Sequence, residues 1–405
     1  ICTAISKKVY NSAGMKRSAC VLISLLIFLV GCACPARLPA PQLTTTTPPQ
    51  PLPSVDMESA LKLAQKFSPN IYLSAEGKVT ESYEPRQIEV MVDDAMIRDI
   101  QNPSFAEKAS LANLPQWSKS AYYLDLADLA PQSQTPTDYR KTYADIRDRY
   151  RPTLYSRVKE GAGSGHTVLQ YWLFYYANDW RNFHEGDWEL VQLHFPPQSA
   201  KALLDSDASP LFAAYSQHQY GQRMSWQEMT AQSLVEDTHP KVYVARGSHA
   251  NYFTPGTNWA VLDFDDTGLA EWQVIHADRF DIVMLPEEDG DRRGLDWVAF
   301  KGRWGEYLGF SISVLGLVFR QAGPFGPLWS ENEQKNQRWQ SPGTWAEKLP
   351  EYPKPFWTAF LQLPGDITRL AVFSLFSPAE LHVYDAQGRH VGLSDRGELE
   401  LQIPG

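Results

Sequence analysis

Apolar and polar positions fall into two regimes along the chain. Before residue 150 apolar residues recur at helical spacing. Beyond Pro152 they alternate or run on continuously, as in strands. Asp56 opens a helix with Ala60, Leu61, Ala64 and Phe67 on one stripe, broken before Pro69. Amphipathic spacing predicts two more helices over residues 86–98 and 136–149. Strand patterns follow at 153–159, at 166–176 across a glycine-rich turn (161–165), and at 187–195, 211–215, 242–245, 259–263 and 272–275. A short helix is expected around residues 226–234. The sum is an α+β, mostly β chain: a jelly-roll-like β-sandwich with flanking helices.

The two ends of the chain read differently. Met15, Lys16-Arg17 and the apolar stretch 19–30 have the layout of a signal peptide, too short for a membrane-spanning helix. Leu29-Val-Gly-Cys32 resembles the bacterial lipobox, which makes Cys32 the expected lipidation site; an ordinary secretory cut near Ala33 or Ala36 is the alternative. Residues 32–55 form a Pro/Thr-rich tether, expected to be extended at about 3.1 Å per residue. Residues 56–350 form the sandwich body. Residues 351–405 form a small β module, in which Leu381, Val383 and Asp385 alternate with His382 and Tyr384 before the turn Asp385-Ala-Gln-Gly388.

Composition narrows the partners. All four cysteines precede residue 35, so the body holds neither a disulfide nor a thiolate metal site. The net charge of the whole chain is −10. Removing residues 1–31 takes four of the 37 basic residues and none of the 47 acidic ones, leaving −14. Such a body does not suit nucleic acid. Aromatics at 12 % suit a wide sandwich core.

The chemistry concentrates between Tyr171 and Glu189. An aromatic strand stops at Asn178-Asp179, passes through a polar loop, and resumes at Asp187. On that second strand Asp187, Glu189, Val191, Leu193 and Phe195 share one side, apolar from Val191 onward. Two carboxylates thus end an inward-facing row, and buried carboxylates need a partner. Asp179, His184, Asp187 and Glu189 make a candidate cup for a hard divalent cation, magnesium or calcium. Asn178, Arg246 and His249 are the supporting residues expected behind it. The alternative is a metal-free polar network, neutralised by Arg181 or Arg246, that locks the loop. Ser248 and His249 are adjacent on an extended chain and cannot readily pair as nucleophile and base. Asp263, Asp265 and Asp266 read as a solvated turn, His194 as facing away from the cup, and His382 and His390 as structural. The apolar run 312–319 reads as buried core.

These segments carry a resemblance. Gln170-Tyr-Trp-Leu-Phe-Tyr-Tyr176 with His184-Glu-Gly-Asp-Trp-Glu189 resembles the vacuolar protein sorting-associated protein 62 family, as do Phe67-Ser-Pro-Asn-Ile-Tyr-Leu73, Val242-Tyr-Val-Ala-Arg-Gly-Ser-His-Ala-Asn-Tyr-Phe253, Gly302-Arg-Trp-Gly305 and Gly323-Pro-Phe-Gly-Pro327. More distantly, His184, Asp187 and Glu189 at i, i+3, i+5 resemble the necrosis-inducing toxin family. That likeness implies a divalent cation held with Asp179 at a sandwich rim. Glu185-Gly186 depart from the Arg-His pair of the toxin motif, which separates the cation geometry from toxin activity. The leading expectation is an outer-membrane lipoprotein of the bacterial cell envelope, joined to the membrane by its lipid. It would bind a surface glycan or lipid headgroup and lean away from catalysis. The alternatives are a metal-dependent hydrolase of an envelope ester or glycan, and a metal-free structural or trafficking adaptor.

Overall fold

The computed structural model describes residues 55–75, 80–126 and 136–352, apart from 181, 219, 260–263, 287–291, 293, 307–318, 321 and 331–333. It also describes Ile5–Ser6 and three short strands between residues 382 and 401. The signal segment from residue 7 on, the tether to residue 54, Cys32 and nearly all of the 312–319 run lie outside the described residues. The chain divides into two units, residues 52–362 and residues 1–51 with 363–405.

The larger unit is built on a seven-stranded sheet. Its order is Tyr220–Ser225, Phe212–Gln217, Asn182–Phe195, His166–Asn178, Thr153–Ala162 and Asp281–Met284, with Phe319–Arg320 added alongside Asn182. The His166–Asn178 and Asn182–Phe195 strands form one long antiparallel hairpin that pairs Tyr175 with Asp187 and Leu173 with Glu189. A second sheet joins Val235–Glu236, His239–Val244, Asn70–Ser74 and Trp272–Ile275, with Asn251–Tyr252 on His239–Val244. A third is small: Met96–Asp99 between Asn102–Lys108 and Tyr122–Asp125. Helix and strand thus mix as the sequence indicates, with β dominant.

Both faces of the large sheet are covered, which explains the unbroken apolar run on its central strand. On one face the Tyr171 hydroxyl donates to the Ala64 carbonyl (2.9 Å), and Phe67 packs edge-on against Phe195 (5.0 Å). Both contacts come from the C-terminal end of the helix Met57–Lys66, whose N-terminus is capped by Asp56. Trp188, from an even position of its strand, packs on Trp297 and Trp304 instead.

Two expectations change. Residues 86–98 are helical only over Glu89–Val92, and Met96–Asp99 is a strand whose Ile97 is buried opposite Leu124. The polar loop of the hairpin is shorter than expected: the strand begins at Asn182 and pairs across the hairpin from His184, so His184 and Glu185 lie in the strand. This strand bends through Gly186 at φ +57°, where a Cβ would lie 2.0 Å from the Trp304 carbonyl oxygen, so only glycine fits. Tyr352, where the described part of the body ends, donates its N–H to the Arg223 carbonyl (2.8 Å).

In the second unit His382–Tyr384, His390–Leu393 and Leu399–Leu401 form an antiparallel sheet, with Ile5–Ser6 pairing Val383 and His382.

Candidate functional site

The apolar hairpin ends in a buried cluster of charge. Asp187 is nearly buried, and its Oδ2 accepts from His249 Nδ1 at 2.9 Å; Asn178 Nδ2 is a weaker donor to the same oxygen at 3.4 Å. His249 is 0 % exposed, lies at φ +54°, and stacks flat on Tyr175 (4.0 Å, 4°). Its Nε2 is 3.6 Å from Oε1 of Glu81, too long for a hydrogen bond but close enough for an ion pair. Glu81 accepts backbone N–H groups from Ser82, Tyr83 and Gly247 (2.7, 2.8 and 2.6 Å). An imidazole thus sits between two carboxylates.

That placement sets its charge. Burial alone would lower the His249 pKa, but the Glu81 charge and the bond to Asp187 outweigh it and push it up to about 10. In return, His249 holds both Glu81 and Asp187 below the usual carboxylate range against the opposing effect of burial. Glu189 is the exception. Burial, then the Asp187 charge, pushes it up to about 8, and its Oε2 accepts the Ser216 hydroxyl.

The other expected residues are placed as follows. Asp179 is bound by Arg140 Nε, a cation from the 136–146 helix. Its backbone N–H donates to the Gly247 carbonyl (3.1 Å). A Cβ on Gly247 (φ +75°) would lie 2.6 Å from Asp179 Oδ1. His184 is turned to the Gly186 carbonyl, 2.8 Å from Nδ1. Arg246 pairs with Asp266, while Arg181 lies outside the described residues. Hence Asn178, Asp187 and His249 come together, and Asp179, His184 and Glu189 each have a separate partner.

Asp265 corrects the reading of residues 263–266 as a solvated turn. It is fully buried and accepts from the Ser248 and Tyr252 hydroxyls (both 2.6 Å) and from His218 Nε2 (2.9 Å). Ser248 and His249 therefore serve different acids. His218, a fifth exposed at its side chain, and half-buried Trp180 have rings 5.2 Å apart.

Oxygen donors and an imidazole suit a hard cation chemically. In this structure Asp187 faces His249 and Asp179 faces Arg140. Among the described residues the potential ligand atoms that gather within 4.8 Å of one another belong to Asp125, Glu185 and Glu306. There Glu185 accepts from the Tyr139 hydroxyl (2.7 Å) and the backbone N–H groups of Leu126 and Glu306 (3.3 and 3.1 Å), and Asp125 accepts from Arg98 (3.0 Å). Glu185 and Asp125 thus have protein donors of their own.

Glu81, Arg140, Ser216, His218 and Asp265 belong to the network but stand outside every spacing the sequence singles out as its cup. Their common signal is weak: single polar residues beside apolar or aromatic runs.

No protein-family model matches the chain. It is similar to "Putative vacuolar protein sorting-associated protein TDA6" of Saccharomyces cerevisiae, 25 % identical over 274 residues. That alignment covers 56 % of this chain and 57 % of the yeast protein, so the chain spans a little over half of its relative. The similarity is distant, and it agrees with the family that the motifs resemble. Among solved structures, "NLPPya in complex with glucosamine" is 12 % identical at a TM-score of 0.29, covering 59 % of this chain and 78 % of that one. "Necrosis and Ethylene inducing Protein 2 from the causal agent of cocoa's Witches Broom disease" is 12 % identical at a TM-score of 0.27, covering 61 % and 80 %. Overlaps this loose carry no argument about the site, which rests on this chain's own residues.

Proposed function

We propose that this chain is a non-catalytic binding protein of the bacterial cell envelope, held to the membrane by lipid on Cys32, whose hairpin rim meets a surface glycan or lipid headgroup. The observation that carries the reading is His249, fully buried between Glu81 and Asp187. A general base must reach the proton it takes, whereas this imidazole is covered by Tyr175 and committed to two acids. What the network supplies is a fixed rim, where Trp180 and His218 stand half-buried. An aromatic ring at such a rim can stack on a sugar face or rest at a headgroup. The test is a glycan and liposome binding screen of the full chain. Binding that falls at least tenfold in Trp180→Ala, with no turnover of ester or glycosidic substrates, supports the reading. Turnover abolished by His249→Gln would contradict it.

A second reading, a divalent cation seated at Asp187 and Glu189, is favoured by Glu189. Its carboxyl is buried beside another acid, and a cation could replace its proton. In that case calcium or magnesium raises the melting temperature of the wild type, and Glu189→Gln abolishes the rise.

A further inference from the structure

A cavity of about 420 Å³ opens between the edge strand Tyr220–Ser225 and the helices Gln337–Gln340 and Pro342–Glu347. That size suits a small ligand. Its lining joins the Trp345 indole to the amides of Gln337 and Gln340, the hydroxyls of Ser341 and Thr344, and the Lys348 amine. No carboxylate lines it, in a chain whose net charge is −10. The two nearest acids in sequence are occupied elsewhere. Glu347 accepts the Ser164 N–H (2.9 Å), and Glu351 pairs with Arg223 (3.0 Å). Lys348 is exposed and has no ion pair among the described residues.

The aromatic wall is fixed in place. Arg338 lays its guanidinium 5.2 Å from the Trp345 ring centre and donates to the His218 carbonyl (2.6 Å). Across the groove Gly221 leaves room for the indole: a Cβ there would lie 3.3 Å from the Trp345 ring and 2.5 Å from the Tyr215 carbonyl oxygen. Half-buried Trp345 is therefore held as a rigid plate with polar donors and acceptors beside it.

We propose that this groove binds an anionic saccharide. Amides and hydroxyls supply the paired donors and acceptors that sugar hydroxyls need. The indole offers its face to the apolar C–H side of the ring. Lys348 meets a carboxylate or phosphate as an uncompensated point charge. Leu349 and Pro350 add apolar surface beside the indole, and the absence of acids disfavours a cationic ligand. None of the hairpin acids lines this groove, and its ligand contacts do not include Trp180 or His218.

Calorimetric titration of the full chain with a short oligogalacturonate, the matching uncharged galactose oligomer and inorganic phosphate tests the proposal. The uronate binds about tenfold more tightly than the neutral sugar, and phosphate alone binds least. Trp345→Ala weakens both sugars at least tenfold. Lys348→Gln weakens only the uronate, down to the neutral level. Gln340→Ala, an exposed change, weakens both sugars without moving the melting temperature, which separates lost contact from lost folding. Several results overturn the assignment: no saccharide binding by the wild type, affinity unmoved by Gln340→Ala and Lys348→Gln, or phosphate bound as tightly as the uronate. Binding lost in Trp180→Ala yet intact in the groove variants would move the sugar to the rim.

Discussion

His194 and His249 are both 0 % exposed, yet the protein holds one neutral and the other charged. His194 stacks on Phe212 (4.1 Å) and meets the Gln192 amide oxygen at 3.1 Å; burial, then the proximity of His166 and Arg223, pushes its pKa down to about 3. His249 stacks on Tyr175 at almost the same separation, and two carboxylates push it up to about 10. Burial is equal, and stacking is nearly so. The flanking charges decide the sign. One end of the hairpin is thus an ordinary polar core, and the other is a compensated ion cluster.

The largest test of this contrast is truncation. His249→Ala leaves Glu81 and Asp187 buried without their cation, so urea unfolding at neutral pH should show a loss of about 3–5 kcal/mol. His194→Ala removes a neutral ring and should cost about 1–3 kcal/mol. Equal losses would erase the distinction.

The pH dependence should differ in direction. The His249 pKa is raised above its unfolded value of 6.5. Its contribution is therefore complete below about pH 6.5 and lost as pH rises toward 10. The His194 pKa is depressed, so its contribution is present above about pH 6.5 and lost as pH falls toward 3. Unfolding midpoints across pH should show His249→Gln flattening the alkaline limb and His194→Gln the acid limb.

Glu189 sharpens the picture within the cluster. Its folded pKa is about 8 against 4.5 unfolded, so its contribution falls as pH rises between those values. Glu189→Gln mimics the protonated acid and should stabilise the protein at pH 8 by roughly 1–2 kcal/mol. A cation seat predicts the opposite, a loss in the presence of calcium or magnesium. Arg140→Gln should have the smallest effect, about 1 kcal/mol, because the guanidinium is more than a third exposed and water screens its pair with Asp179.

How much of this was legible depends on whether sequence neighbours are spatial neighbours. The hairpin strands, the helix capped by Asp56 and the Trp272–Ile275 strand follow from local period. The inward row of Asp187 and Glu189 follows from alternation, and both acids are buried. The approach of His249 to Asp187 was also foreseen, though as a supporting contact. The residues that set the charge balance were hidden, since Glu81 and Arg140 reach the hairpin from segments 106 and 47 positions before Asp187. No periodicity encodes such pairings. The cup of four ligands rests on strand alternation, loop reach and the toxin likeness. Spacing shows which side chains can be near each other, and it leaves unsaid that Arg140 takes Asp179 or that His184 turns to the Gly186 carbonyl.

The central claim is that the hairpin end is closed around a protonated His249. Nitrogen-15 NMR of the imidazole in the full-length protein tests it most directly, with the signal assigned by its loss in His249→Gln. The account predicts that both ring nitrogens stay protonated from pH 6 to pH 8 and ignore added calcium or magnesium. Titration near pH 6.5, or a ring signal that shifts when either cation is added, would contradict it.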